Sequence, residues 1–356
     1  INAIVSLLLL VSYMTPYTDP NQIPIIALIG LVYPIAFILN IFFLVTWALL
    51  KSKWFFLSAS ILLVGIPLHL KVFSINLSNN EIPRNSNTLK VMSYNVRLFG
   101  YFDDSRIEAN KKKNQILNFI RQEKPDVLCI QEYFNQDGDN KFNTKDSIYE
   151  IMGIHSHHEK IIQHSQKNKH FGMALFSKYP IINEGIIHRN NTNKKNSNFC
   201  IYADIIKKGD TIRIYNIHFQ SIKLKVDEYS RQRAINASSK MKQVTLSSGL
   251  LKLNEAFKIR SKQSHAVRSH VNKSPYKSIV CGDFNDTPMS YTYEAFDDYL
   301  VDAFRNTSTG LGSTYNGFLP AGRIDYIFHT KSLNSADFKI QSQKLSDHQA
   351  ITCIIY

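Results

Sequence analysis

The sequence predicts a mixed α/β domain carried behind a set of membrane-spanning helices, and three observations predict it. Residues 25–50, "IIALIGLVYPIAFILNIFFLVTWALL", run 26 residues without a charge, and residues 54–70, "WFFLSASILLVGIPLHL", add 17 more. From Leu89 onward, short apolar runs alternate with helix-compatible stretches, the pattern of strands and helices built into one core. Six of those apolar runs also deliver an acid, an amide or an imidazole near an end, where a strand should be apolar or alternating. Across 356 residues, 44% hydrophobic and 20% charged, the composition excludes a disordered or low-complexity chain.

A helix needs about 20 apolar residues, within a range of roughly 17–25, to cross a bilayer. Both uncharged runs qualify, the second near the lower limit. Residues 1–12, "INAIVSLLLLVS", read as the remainder of a further span, because the chain begins on Ile rather than Met. The competing reading, core helices of a soluble protein, is disfavoured by their length, and a cleaved signal peptide would be shorter and single. Between the second and third spans lies "KSK" with Lys51 and Lys53, whereas residues 13–24 hold Asp19 and neither Lys nor Arg. The positive-inside rule then places residues 51–53 in the cytoplasm and everything after about residue 75 outside it. The expected organisation is a membrane anchor over 1–74, a polar linker over 75–88 interrupted by Pro83, and a catalytic-sized domain over 89–356.

Within that domain, "LKVMSYNV" reads as a strand, "ANKKKNQILNFIRQE" as an amphipathic helix with apolar positions 116, 117, 119 and 120, and "PDVLCIQE" as a strand opened by Pro125. "GMALFSKYP", "FCIYADII" and "DTIRIYNIHFQ" continue the strand series, residues 226–272 are helix-compatible, and "SIVCGDFN", "RIDYIFHT" and "HQAITCIIY" close it. Cys129, Cys200, Cys281 and Cys353 lack metal-finger spacing. Three of them sit in apolar runs, as small buried hydrophobes do. The formal charge is +14, and residues 221–277 alone hold 13 Lys or Arg against Asp227, Glu228 and Glu255, a net of +10. A solvated helical face and a patch for nucleic acid or anionic headgroups both fit that excess. Aromatic residues for base stacking are few there (Tyr229, Phe257 and Tyr276).

The polar residues at the run ends each have a bland explanation. Asn95 in "MSYNV" can bond its own backbone, Glu132 in "LCIQE" can cap a following helix, and His218 in "YNIHFQS" can be a satisfied core histidine. Asp283 and Asn285 in "GDFN" can form a turn, because Asp and Asn bond neighbouring backbone. Asp325 in "RIDYIF" can pair with Arg323, and Asp347-His348 in "SDHQA" alone means little. As a set they are harder to dismiss, because buried polar groups are costly unless paired or coordinating something.

The series "MSYNV", "CIQE", "YNIHF", "GDFND", "RIDYIF" and "SDHQA", in this order, resembles the endonuclease/exonuclease/phosphatase family, the DNase I-like superfamily of metal-dependent phosphodiesterases and phosphatases, over roughly residues 89–356. With the hydrophobic N-terminus it resembles a membrane-anchored bacterial branch. The resemblance implies a four-layer αββα sandwich, two mixed sheets with helices outside, and an active site where strand ends of both sheets meet. It implies that Glu132 is the principal ligand of a divalent ion, with Asn95 and Asp347 supporting it. The ion would be Mg²⁺, with Mn²⁺ as a substitute, since hard cations take oxygen ligands. It further implies that Asp283 deprotonates the attacking water, that Asn285 holds that water and a phosphoryl oxygen, and that His348, oriented by Asp325, meets the charge developing on phosphate. His218 and Asn95 would add contacts to the same phosphate. Thr314 and Tyr315 in "GSTYNG" lie where family members shape the substrate cleft. The implied protein is an integral enzyme of a bacterial inner membrane, with its domain on the periplasmic side and among membrane lipids. Its substrate would be a lipid headgroup, a small phosphate ester or nucleic acid. Two other readings stay open, a non-specific nuclease of the same fold and a non-catalytic scaffold subunit of a membrane complex. His218 departs from the abasic-site nucleases, and the presence of every catalytic position weighs against a scaffold.

Overall fold

The computed structural model describes residues 1–76, 82–83, 87–103, 105–138, 142–154, 157–165, 168–187, 200–222, 246–317 and 322–356. Most of the expected linker and the basic stretch 223–245 lie outside the described residues. Two six-stranded sheets form the body. One orders β11 (Ser335–Ile340), β12 (Ile351–Ile355), β1 (Leu89–Asn95), β2 (Val127–Gln136), β4 (Lys169–Ser177) and β3 (His157–Ser165). The other orders β5 (Ile181–Ile187), β6 (Cys200–Lys207), β7 (Asp210–His218), β8 (Lys277–Asp283), β10 (Asp325–His329) and β9 (Val301–Asp302). Each sheet is mixed, with one parallel pair at its centre: β1 with β2, and β7 with β8.

The layers follow from which faces are apolar. Val91, Val127, Cys129 and Leu175 of the first sheet meet Ala203, Ile214, Ile279 and Cys281 of the second in one buried core. The outer face of the first sheet buries Tyr94, Ile130 and Phe176 against helices α6 (Arg106–Glu123) and α7 (Thr144–Met152). The outer face of the second buries Tyr215, Val280 and Phe328 against α8 (Leu246–Asn272) and α9 (Tyr291–Asp297). Local signals set the helix ends. Ser105 accepts the Glu108 amide at the start of α6, and Lys124, left-handed before Pro125, ends it. All four cysteines are buried.

The parallel pairs bring the candidate residues to one edge. Asn95 ends β1, His218 ends β7 and Asp283 ends β8, with His218 opposite Asp283 in register. Strand β10 runs antiparallel to β8 and pairs Asp325 with Asp283, so its first residue reaches that edge.

Two sequence expectations change here. Glu132 does not end a strand: β2 continues to Gln136, and the ladder with β4 shifts register between Ile130 and Tyr133. Asn285 does not share a strand face with Asp283, because β8 ends at Asp283 and Asn285 is left-handed at φ 53°. The two meet through a turn instead.

Ahead of the sandwich lie α1 (Asn2–Ser12), α2 (Pro24–Gly30), α3 (Tyr33–Leu49), α4 (Phe55–Val64) and α5 (Ile66–Val72). Among the described residues no single helix is long and apolar enough to cross a membrane. The expected run 25–50 is broken between α2 and α3 at a bend of 55°, and the run 54–70 between α4 and α5 at 64°; each pair passes the length and composition test only when its two helices are taken together. Pro34 and Pro67 occupy the first turns of α3 and α5. A ring there removes an N–H and clashes with the preceding turn, so the helix restarts in a new direction. Polar side chains tie this bundle internally: Ser6 donates to Asn40 Oδ1 at 2.8 Å, and Tyr33 and Tyr13 hydroxyls meet the two ring nitrogens of His69 at 2.8 and 3.3 Å. Its outward face carries exposed Ile35, Ile38, Phe42, Val45, Leu63 and Val64.

Candidate active site

Asp283 is the hub. Its carboxylate, 1% exposed, accepts the Asn285 backbone N–H at 2.8 Å and the Asn95 side-chain amide at 3.0 Å. The Nε2 atoms of His218 and His348 both stand 3.6 Å from its Oδ2. An Asp bonding the amide two residues on is a turn device, so the bland reading of "GDFN" is correct as local structure. It also aims the carboxylate at two imidazoles. Gly282 makes this approach possible: at φ +141° its added Cβ would overlap the Ile217 carbonyl oxygen on β7. Burial raises the affinity of Asp283 for a proton and the nearby Asp325 raises it further, while His348, His218 and the Asn95 bond oppose the rise.

His348 is held from behind. Its Nδ1 lies 3.0 and 3.1 Å from the two oxygens of Asp325, which fixes that nitrogen as the donor and leaves Nε2 facing Asp283. Burial alone would lower its pKa, but Asp325 and Asp283 outweigh it and lift the value to about 10. Asp325 is itself fixed by Thr314, whose buried hydroxyl accepts the Ile324 and Asp325 amides, each at 3.1 Å. Arg323 is not the partner of Asp325. It pairs with Asp302 at 2.5 Å.

Glu132 sits at the bulge of β2 with φ 49°, a left-handed backbone that is costly for a non-glycine residue and concentrated at functional sites. Protein packing and then the neighbouring Asp347 and Asp283 charges raise its pKa to about 7, against His348 and a hydrogen bond with Asn95. Its side chain nevertheless keeps 37% exposure, so the crowded carboxylate is open on one side. His218 Nε2 lies 4.0 Å from it. Asp347 is half-buried beside Ser346, and its backbone oxygen accepts the Asn316 amide at 2.7 Å.

All eight predicted residues therefore reach one edge of the sandwich, with Asn95 bridging the two halves through Asp283 and Glu132. Other residues join them that sequence reasoning named weakly or not at all. Tyr315 pairs with His348 by a β-bridge and by ring contact at 5.0 Å. Beneath the site, Gln131 donates to Asn216 at 2.7 Å, and Asn216 donates to the Ile130 and Ala174 carbonyls at 3.0 and 2.9 Å. That buried amide pair ties the first sheet to the second. Its signal was visible as "IQE" and "YNI", where a polar residue interrupts an apolar run, but only the neighbours Glu132 and His218 were singled out.

The chemistry of the donor set fits a divalent cation. Glu132 and Asp347 offer hard oxygen ligands whose mutual repulsion a cation would relieve. Asp283, Asp325 and His348 form a second close group, with ligand atoms within 4.8 Å of one another. In that group both Asp325 oxygens are already engaged by His348 Nδ1.

Comparison with known proteins supplies the relationship. Residues 92–348 match the model of the "Endonuclease/Exonuclease/phosphatase family", and residues 1–72 match one described as a domain of unknown function. A CCR4-Not complex 3'-5'-exoribonuclease subunit from Mycosarcoma maydis is 21% identical over 308 residues, 69% of this chain and 44% of that protein. The chain thus spans less than half the length of that curated relative. The human Nocturnin catalytic domain with bound sulfate aligns at 19% identity and a TM-score of 0.53, over 76% of this chain and 94% of its own. A mannosyl-6-phosphatase from Bacteroides thetaiotaomicron aligns at 17% identity and a TM-score of 0.52, over 75% and 99%. These two likenesses establish the α/β DNase I-like fold with its two mixed sheets.

Proposed function

Because this chain belongs to the endonuclease/exonuclease/phosphatase family, whose members are hydrolases acting on phosphoesters, we propose that it hydrolyses phosphodiester or phosphomonoester bonds with the aid of a divalent metal, at a site anchored to a membrane. The observation that carries this reading is the convergence on Asp283 of two imidazoles and an amide, beside an open, crowded Glu132.

Glu132, Asn95 and Asp347 would hold the ion. A bound Mg²⁺ supplies charge to offset that of the phosphoryl oxygens. The chain's own groups do the rest. Asp283, with its raised proton affinity, takes a proton from the attacking water. Asn285, whose side-chain amide donates to the Phe219 carbonyl at 3.0 Å, would hold the same water and a phosphoryl oxygen. His348, cationic at neutral pH and oriented by Asp325, presents an N–H where negative charge develops on phosphate. His218 supplies a second N–H from the opposite strand. The phosphorus–oxygen ester bond breaks, and the alcohol leaves after protonation from solvent.

The anchor reading draws on the bundle. Two bent helix pairs together have the length and hydropathy of spans, and large apolar side chains cover the outward face. Asp19 and Asn21 of the first loop contact Ser261, and Lys71 at the end of α5 contacts α9. Both ends expected outside the cytoplasm thus lie against the catalytic domain, while Lys51 and Lys53 are exposed in the turn between α3 and α4. This favours a bacterial inner-membrane enzyme with a periplasmic domain, divided as anchor 1–74, linker 75–88 and domain 89–356. Among substrates, membrane-proximal or small phosphoesters are preferred to nucleic acid. Within the described part of 221–277, Arg260 is buried on Asp286 and Arg268 pairs with Asp298, so these two are already engaged by carboxylates.

The test is the full chain in detergent with Mg²⁺, offered phospholipid vesicles, a chromogenic phosphodiester, plasmid and single-stranded DNA. Turnover that chelation abolishes and Mg²⁺ or Mn²⁺ restores is the expected result. Salt-sensitive cleavage of DNA with no release of phosphorylated headgroup or inorganic phosphate would establish the nuclease reading instead.

A further inference from the structure

At the seam between α5 and the sandwich, three cations meet three carboxylates. Lys71, 9% exposed, pairs through Nζ with Glu294 and, at 3.1 Å, with Asp297 of α9. Arg305 reaches Asp297 at 2.5 Å, and the Tyr293 hydroxyl lies between Asp297 at 3.2 Å and Asp302 at 2.8 Å. Arg323, 2% exposed, pairs with Asp302 and donates through its other terminal nitrogen to the Lys71 carbonyl at 2.8 Å. The contacts form a closed ring that starts and ends on Lys71, with Lys71, Arg305 and Arg323 balanced by Glu294, Asp297 and Asp302.

This ring lies next to the catalytic strand. Arg323 is two residues before Asp325, and the Arg323 carbonyl accepts the Tyr326 hydroxyl at 2.7 Å. That same hydroxyl bonds the Asp286 carbonyl at 2.9 Å, and the Phe284 amide bonds the Ile324 carbonyl at 2.9 Å. The segments bearing Asp283 and Asp325 are therefore tied together, and the tie is fastened to the end of α5. Met289, six residues past Asp283, is buried among Leu9, Tyr13, Tyr33 and Leu68 of the N-terminal helices. An ion pair serving the sandwich alone would have no reason to take a ligand from α5.

We infer that docking of the N-terminal helices through this ring holds the Asp325–His348 pair in its working geometry, with Arg323 as a positioning residue for the phosphoester hydrolysis proposed above, on which this inference rests. The helices are then part of the catalytic unit as well as an attachment. Lys71 touches no substrate, so loosening it changes kcat and leaves KM on a small soluble ester alone.

The test uses the full chain in detergent and three variants. Lys71→Met should lower kcat by about 10–100-fold, the scale of a small misplacement at a reacting centre, with KM within about twofold. Lys71→Arg, which can still bridge Glu294 and Asp297, should restore it. The double variant Lys71→Met/Glu294→Gln removes one charge of each sign and leaves the ring neutral. It should lose kcat like the single variant and remain folded if Lys71→Met does not. A second readout is independent of turnover: the downfield NMR resonance of the His348 Nδ1 proton should broaden or shift in the Met variants and persist in Lys71→Arg. Wild-type kcat and an unchanged resonance in the neutral double variant would overturn the inference, because only an uncompensated charge would then have mattered. Absence of phosphoester turnover in the wild type would refute the proposed function, while the resonance would still decide the docking claim.

Discussion

His348 presents an N–H to the site only while its ring keeps both protons, and Asp325, bonded to its Nδ1, holds it so. The folded pKa of His348, about 10, lies above the ordinary 6.5. The protonated ring is thus favoured in the folded state, and that stabilisation is complete below about pH 6.5 and lost as pH rises toward 10. Unfolding free energy of the wild type should fall across that window, and His348→Gln should flatten the fall, as denaturant titrations at pH 6 and pH 9.5 would reveal. Steeper loss in His348→Gln than in wild type would contradict the charge assignment. Gly282 offers a second check at this scale. With φ +141° and a Cβ site overlapping the Ile217 carbonyl, Gly282→Ala should destabilise by about 3 kcal/mol. An unchanged denaturation midpoint would mean β7 and β8 can separate at no cost.

The elements show which signals a sequence carries and which it hides. Asn95, His218, Asp283 and Asp325 were legible because each interrupts an apolar strand at its end, and strand ends are where a sheet edge exposes side chains. Glu132 was legible as a residue but not as a bulge, since a register shift in β2 depends on its pairing with β4. The left-handed turn at Asn285 is one of two conformations that "GDFN" allows, and the sequence alone does not choose between them. Pro34 and Pro67 were in plain view within the apolar runs, and the composition of those runs concealed that each helix breaks there. The Gln131–Asn216 link between sheets was not read, because two amides 85 residues apart become partners only after both sheets stack. Replacing Asn216 with Ala would remove one acceptor from the Gln131 amide, which keeps Ser93, and would take the side-chain donor from the Ile130 and Ala174 carbonyls. A loss of about 2–3 kcal/mol in unfolding free energy follows. A loss below about 0.5 kcal/mol, the range of a surface substitution, would remove this pair from the account of how the two sheets are aligned.

At the scale of the whole molecule, the sandwich and the N-terminal helices meet at Asp19–Ser261, Ser74–Gly310 and the Lys71–Arg323 ring, whose Arg323 is two residues from Asp325. None of these joins residues near in sequence, so the seam could not be read from the chain. A three-pass anchor with "KSK" in the cytoplasm predicts that a reporter fused after Tyr356 is active only in the periplasm of a Gram-negative host; activity confined to the cytoplasm would reverse the topology. The central claim, that this is a phosphoester hydrolase in which Asp283 takes the proton of the attacking water, is tested most directly by steady-state hydrolysis of a chromogenic phosphodiester by the full chain and by Asp283→Asn in saturating Mg²⁺. In the variant kcat should fall by about 10²–10⁴-fold with the thermal midpoint retained. A variant that turns over at the wild-type rate would contradict it.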